Sequence, residues 1–268
     1  MLNFRGGETE RLEMRLDTAV FQRGLTDSRE KARRLILGGF VSVGGIVVTK
    51  PSFAVAEDAA VTVAANDDFV GRGAYKLLAA LDAFSVDLTD RVCLDIGAST
   101  GGFCEVMLRR GARIVYAVDV GTGQLAARLA ADGRVVNMEQ TDARTLTRES
   151  FAVPPDFCSV DVSFISLEHI VPPLAARFDC RFVTLVKPQF EAGRADIGKR
   201  GVVKSAAAHE RVLRAFHAML GQSGLFLSGL IPSPVRGGDG NAEYLAAFSR
   251  ETSDFMPDIR AVVRSALA

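Results

Sequence analysis

Apolar and polar positions fall into two rhythms along the chain. Between residues 11 and 63 the pattern is short and varied. Leu12, Leu16, Ala19 and Val20 recur at helical spacing, with Gly24 as a stop. Asp27 followed by Glu30 reads as a capping box for a second helix through RRLIL, ending at Gly38-Gly39. FVSV and IVVT flank Gly44-Gly45, the pattern of a β-hairpin, and AVTV follows a turn at Pro51. From residue 92 onward, apolar β-like runs recur: VCLDIG (92–97), IVYAVDV (114–120), VVNMEQTD (135–142), FCSVDVSF (157–164), RFVTLVKP (181–188) and LFLSGLIP (225–232). Ala- and Leu-rich, helix-friendly segments fill the gaps. Asp95, Asp119, Asp142, Asp161 and Lys187 end five of these runs at spacings of 24, 23, 19 and 26 residues. That is the beat of βαβ units in a doubly wound sheet, where ligands bind beyond the carboxyl ends of the strands. The small, polar stretch AANDDFVGRG separates the two rhythms. The expected organisation is a flexible extension (1–10), a small α+β unit (11–63), a linker (64–70) and an α/β domain (71–268).

Composition narrows the classes. With 268 residues, 48% hydrophobic and 24% charged, the chain has material for a buried core. Its first residues hold no apolar signal segment, and no run approaches the roughly 18 apolar residues of a membrane span. Cys93, Cys104, Cys158 and Cys180 lie 11, 54 and 22 apart, neither a metal-binding spacing nor a disulfide scaffold. Reduced thiols in a cytoplasmic, monomeric protein are expected. His169, His209 and His217 offer no pair at i,i+4, so no metal is expected. Thirty-two basic residues balance 32 acidic ones, yet the charges are segregated. Residues 11–34 carry seven basic against four acidic, and 187–214 seven against three. Residues 137–161 and 237–258 carry the compensating acids. A nucleic acid responds to such local fields, not to the total.

Arg29 and Arg33 are one helical turn apart and share a face suited to phosphates, although a solvated helix face would look the same. The order of elements decides between these. RLDTAVFQRGLTDSREKARRLILGGFVSVGGIVVTKPSFAV closely resembles an S4 RNA-binding domain. The resemblance implies structured, ribosomal RNA as partner, with Arg15, Arg29, Lys31, Arg33 and Arg34 as candidate contacts.

Asp95-Ile-Gly97-Ala98-Ser99-Thr100-Gly101-Gly102-Phe103 is a Gly-rich loop with spacing G-x-x-x-G-G, not the G-x-G-x-x-G of dinucleotide sites. An acid just before the first glycine suits a cationic, phosphate-free ligand, and S-adenosylmethionine is one. Asp119 is placed to accept ribose hydroxyls and Asp142 the adenine amino group. One such aspartate alone could be a helix cap; three at strand ends point to a site. DIGASTGGF resembles the donor motif of class I, Rossmann-like methyltransferases, and of the FtsJ/RrmJ group in particular, with Thr100 where that group often has Pro.

For the acceptor, DVSF lacks the two prolines of amine-methylating [DN]-P-P-[YF] motifs. Cys158, Cys93 and Cys180 read as buried thiols, not nucleophiles. An oxygen acceptor remains, which needs a base and electrostatic support. Lys187, after the apolar FVTLV and before Pro188, is best placed as base. Lys76 would add a second cation, Asp161 would hold the lysines, and Glu243 would orient Lys76. This Lys-Asp-Lys-Glu order is the tetrad of RrmJ-type 2′-O-methyltransferases. FVGRGAYKL, LDIGASTGGF, DVSFISL, LVKPQFE, IGKRGVVK and SPVRGGDGNAEY together resemble the TlyA (haemolysin A) family along almost the whole chain. The family often has SRGGLKL for GRGAYKL and GKGGVV for GKRGVV. The resemblance implies 2′-O-methylation of cytidines in 16S and 23S ribosomal RNA. Two alternatives are an inactive RNA-binding assembly factor, against which the intact tetrad stands, and a membrane-lytic protein, which the absence of a basic amphipathic helix disfavours.

Overall fold

A computed structural model describes residues 13–37, 39–64, 69–199 and 201–268, with the backbone alone for Arg34. The expected extension, Arg11, Leu12 and the middle of the expected linker lie outside the described residues. The chain divides into two compact units, Met1–Asp67 and Asp68–Ala268.

In the first unit β1 (Glu13–Arg15) pairs antiparallel with β4 (Ala54–Ala56), and α1 (Leu16–Gln22) packs against α2 (Arg29–Leu37). β2 (Val41–Val43) lies between β3 (Ile46–Val47) and β5 (Val61–Val63). Gly44 and Gly45 both take positive φ, 57° and 81°. Two consecutive left-handed residues match the twist of the strands they join, which is why the hairpin closes there. Leu16, Ala19, Val20, Ile36 and Val41 form its dry interior. Two expectations shift. The first helix starts at Leu16, because residues 13–15 are drawn into pairing with β4. The second helix is capped by Ser28, whose Oγ accepts the Lys31 amide at 3.2 Å, not by an Asp27–Glu30 box. Asp27 instead pairs with the Lys31 ammonium at 2.8 Å.

The second unit is a three-layer α/β domain. α3 (Gly73–Ala83) leads into β6 (Val92–Ile96), α4 (Gly102–Arg109), β7 (Ile114–Val118), α5 (Ala127–Ala130) and β8 (Val135–Met138). Then follow β9 (Phe157–Val160), α6 (Val171–Arg177), β10 (Arg181–Val186), α7 (Pro188–Glu191), α8 (Ala206–Gln222), β11 (Phe226–Pro232), β12 (Tyr244–Ser249) and α9 (Ile259–Leu267). The sheet order is β11-β12-β10-β9-β6-β7-β8. β6 to β10 are parallel, and β12 inserts antiparallel between β10 and β11. All six apolar runs form strands; β12 was not expected. Along β6 the side chains alternate. Val92, Leu94 and Ile96 join Leu174, Val212 and Val263 of α6, α8 and α9, whereas Cys93 and Asp95 face the opposite layer, which holds α4. Strand order reverses between β6 and β9, and the sheet's carboxyl edge opens there.

Candidate active site

Beyond that edge a cavity of about 470 Å³ is lined by Gly97, Ser99, Asp119, Asp142, Asp161 and Phe164, among others. Asp119 follows β7 directly. Its Oδ2 accepts the Ser99 amide at 2.9 Å and its Oδ1 the Gly121 amide at 2.7 Å. Oδ1 also accepts from Gln124 Nε2 at 3.5 Å, and Oδ2 keeps a further lone pair for a ligand hydroxyl. Gly97 runs so close to the next strand end that a Cβ would overlap the carbonyl oxygen of Asp161. Glu139, unforeseen from the sequence, accepts the amides of Gly123, Gln124 and Leu125 and so fixes the rim beyond Asp119.

Several residues of the Gly-rich segment serve the cavity from behind. Asp95 is fully buried: its Oδ1 accepts from Ser159 Oγ at 2.6 Å and its Oδ2 from Cys104 Sγ at 3.1 Å. Burial, against those hydrogen bonds, pushes its pKa up to about 6. It does not line the cavity, because strand alternation turns it toward α4. Phe103 is buried in α4, and a Cβ on Gly102 would come within 3.1 Å of the Ala74 amide of α3. Ala98 is likewise buried. Of the candidate donor contacts, Gly97, Ser99, Asp119 and Asp142 face the cavity; Asp95, Ala98, Gly101, Gly102 and Phe103 do not. Asp142 is both things considered for it. It lines the cavity, caps the turn Ala143–Thr145 through the Arg144 amide, and pairs with the Arg144 guanidinium at 2.6 Å. That guanidinium holds its carboxyl down at about 2.

The four candidate catalytic residues converge from distant elements. Lys76 of α3, only 8% exposed, places Nζ 2.6 Å from Glu243 Oε2, just before β12. Lys187, immediately after β10 and 9% exposed, places Nζ 2.6 Å from Asp161 Oδ1, just after β9. Burial pushes the Asp161 carboxyl up, but the charges of Lys187 and Lys76 outweigh it and leave the pKa below the ordinary value. One aspartate therefore feels both lysines. Three further residues complete the cluster. Ser163 Oγ accepts from Lys187 Nζ at 3.0 Å. Gln189 donates to Glu243 Oε1 at 3.1 Å. Glu191 accepts from Ser166 Oγ at 2.7 Å and the Leu167 amide at 2.8 Å, pinning the loop after Asp161. On that loop Phe164 stands 91% exposed at positive φ, 5.0 Å from the ring of Phe190. LVKPQFE thus supplies Lys187, Gln189, Phe190 and Glu191; only Lys187 carried a role from sequence. Burial raises Cys158 well above its ordinary thiol pKa, so it stays protonated.

In the first unit, a hollow is lined by Arg15, Asp17, Arg29, Glu30 and Arg33. Asp17, fully buried, pairs with Arg15 at 2.9 Å and Arg29 at 3.3 Å, and is held down at about 2, chiefly by the Arg15 hydrogen bond. Lys31 is not part of it, being taken up by Asp27. The Arg34 side chain lies outside the described residues. No described helix is long and apolar enough to cross a membrane, and among the described residues no group of three His, Cys, Asp or Glu could hold a metal ion.

Comparison with known proteins agrees with this layout. The model of FtsJ-like methyltransferases matches residues 69–250, and that of the S4 domain residues 14–61. The 16S/23S rRNA (cytidine-2′-O)-methyltransferase TlyA of Mycobacterium tuberculosis is 43% identical, over 89% of this chain and 90% of its own. Hemolysin A of Brachyspira hyodysenteriae is 39% identical, over 88% and 99%. A solved chain from Streptococcus thermophilus, described as a hemolysin, superposes with a TM-score of 0.75 at 40% identity, over 96% of each chain.

Proposed function

The chain belongs to the FtsJ-like methyltransferase family, in the branch that contains TlyA and hemolysin A, and carries an S4 domain; on that premise we propose that it methylates the ribose 2′-hydroxyl of cytidine in 16S or 23S ribosomal RNA, with S-adenosylmethionine as donor. The observation that carries this reading is the buried Lys76–Glu243 and Lys187–Asp161 pairing, with Asp161 itself on the cavity wall. The cavity fits the donor. Asp119 gives it an acceptor for hydroxyl groups, Asp142 accepts an amino group once Arg144 turns away, and the three aspartates of the lining suit a cation. When bound, the donor supplies a methyl group activated by its sulfonium.

The chain's own residues do the rest. Lys187 Nζ takes the proton of the 2′-hydroxyl and so frees the oxygen to act as nucleophile; the bound donor would supply the methyl group and keep the electron pair of the bond it loses. Asp161 and Ser163 hold that nitrogen in place. Lys76, oriented by Glu243, stabilises negative charge on the oxygen. Phe164 offers an open ring face on which a nucleobase stacks, a contact blind to sequence. Arg15, Arg29 and Arg33 of the S4 domain contact RNA phosphates.

The test is methyl transfer from labelled donor to ribosomal subunits from cells lacking this chain, followed by mapping of 2′-O-methyl marks. Lys187→Ala is expected to lower kcat by about 10²–10⁴-fold with donor binding retained. Full activity of that variant removes Lys187 as base, and marks on bases instead of riboses overturn the reaction class.

A further inference from the structure

Downstream of Lys187 the chain makes a short projecting loop. Ile197 and Val203 form an antiparallel bridge, and Gly198 donates to Val202 O at 3.1 Å. Residues 197–204, IGKRGVVK, contain three cations and no acid. Lys199 and Lys204 are exposed, and among the described residues neither makes an ion pair, whereas neighbouring Arg211 is engaged by Asp196 at 2.8 Å.

What holds this loop is unusual for a surface element. Asn241, fully buried, accepts the Val203 amide on Oδ1 at 3.0 Å and donates from Nδ2 to Gly201 O at 3.0 Å. His209, also fully buried, lies 3.0 Å from Val203 O through Nε2 and 2.7 Å from Tyr244 Oη through Nδ1. A carbonyl only accepts, so Nε2 carries the proton and Nδ1 accepts from the tyrosine. If the loop swung away, Asn241 and one ring nitrogen would be buried without partners, which opposes the movement. Gly201 and Val203 are therefore fixed, and the residues that fix them lie beside Glu243: Asn241 precedes it by two residues, and Tyr244, the partner of His209, follows it directly.

We propose that Lys199, inside the loop closed by the Ile197–Val203 bridge, and Lys204, just after it, form an RNA-docking surface of the catalytic domain, and that Asn241 and His209 are positioning residues that keep these two cations in register with Glu243. The inference rests on the methyltransferase reading above and adds a partner surface to it. A basic, acid-free tip beside a ribose-methylating centre matches the phosphates flanking the target nucleotide.

The test uses the full chain and ribosomal subunits from cells lacking it. Lys199→Ala/Lys204→Ala is expected to raise KM for subunits about tenfold and to flatten the slope of log affinity against log salt by about 1.4 to 1.8, leaving the KM for S-adenosylmethionine unchanged. Asn241→Ala is expected to raise subunit KM in the wild-type background but to add little in the double-lysine background. Equal losses in both backgrounds would mean that Asn241 acts only on folding, and would overturn its positioning role. Unchanged KM and salt slope in the lysine variant, with wild-type protein active, would overturn the docking surface alone. No methyl transfer by wild type would overturn the underlying reading.

Discussion

Asp17 in the S4 domain and Asp95 in the catalytic domain are both fully buried aspartates, yet one is held down at about 2 and the other pushed up to about 6. Their partners differ. Asp17 meets two guanidiniums, which fix it as an anion and are themselves half exposed, turned outward as cations. Asp95 meets only a hydroxyl and a thiol, whose hydrogen bonds offset the cost of burying its charge only in part. Asp161 and Glu243 make a third arrangement, in which carboxylate and lysine are both largely buried. Where the cation reaches water, the acid presents charge to a partner. Where the cation is enclosed, the pair conserves charge for chemistry.

The largest expected effect contrasts the enclosed pair with the open one. Glu243→Gln strands the Lys76 ammonium in a dry site and is expected to cost roughly 3–5 kcal/mol of stability in urea unfolding. A cost near 1 kcal/mol would erase the distinction. Next comes the partly compensated acid. A carboxyl with a raised folded pKa binds its proton more tightly in the folded state, so stability falls as pH rises from about 4 through about 6. The expected loss is on the order of 3 kcal/mol, and Asp95→Asn should abolish it; equal pH profiles for wild type and variant would show that Asp95 is not the group responsible. Asp17 has the opposite sign. Its stabilising contribution is present above about 4 and is lost as pH falls through about 2. Asp17→Asn is expected to cost only about 1 kcal/mol, because Arg15 and Arg29 turn to solvent, while weakening RNA binding. Smallest of all, Arg33→Ala should reduce the salt slope of RNA binding by about 1 and leave kcat at saturating RNA unchanged. A fall in kcat would move Arg33 out of the docking class.

The strands of the catalytic sheet were legible because each is a compact apolar run ending in a polar residue. β12 escaped because YLAAFS carries two alanines, poor strand formers. It is a strand because β10 and β11 pair with it from both sides. Lys76, Asp161, Lys187 and Glu243 were nameable one by one, but not the contacts around them. Gln189 reaches Glu243 across 54 positions, and no local pattern announces such a contact. Asp95 misled for a different reason. Its place near a strand end suggests an outward group, yet the two-residue period of β6 turns it inward. Ser28 replaces Asp27 as a cap by one position, which is the grain at which such signals blur.

Gly97 carries a consequence for how this enzyme can change. The Gly97 turn and the carbonyl of Asp161 share a single wall, with no room for even a methyl group between them. On the proposed function, an alteration that loosens the grip on one substrate displaces the anchor of the base that acts on the other. Donor affinity and turnover are thereby yoked in any lineage that keeps this backbone. On the proposed function, adaptation to a new RNA target is left to residues outside that wall, such as Arg33 and Lys199.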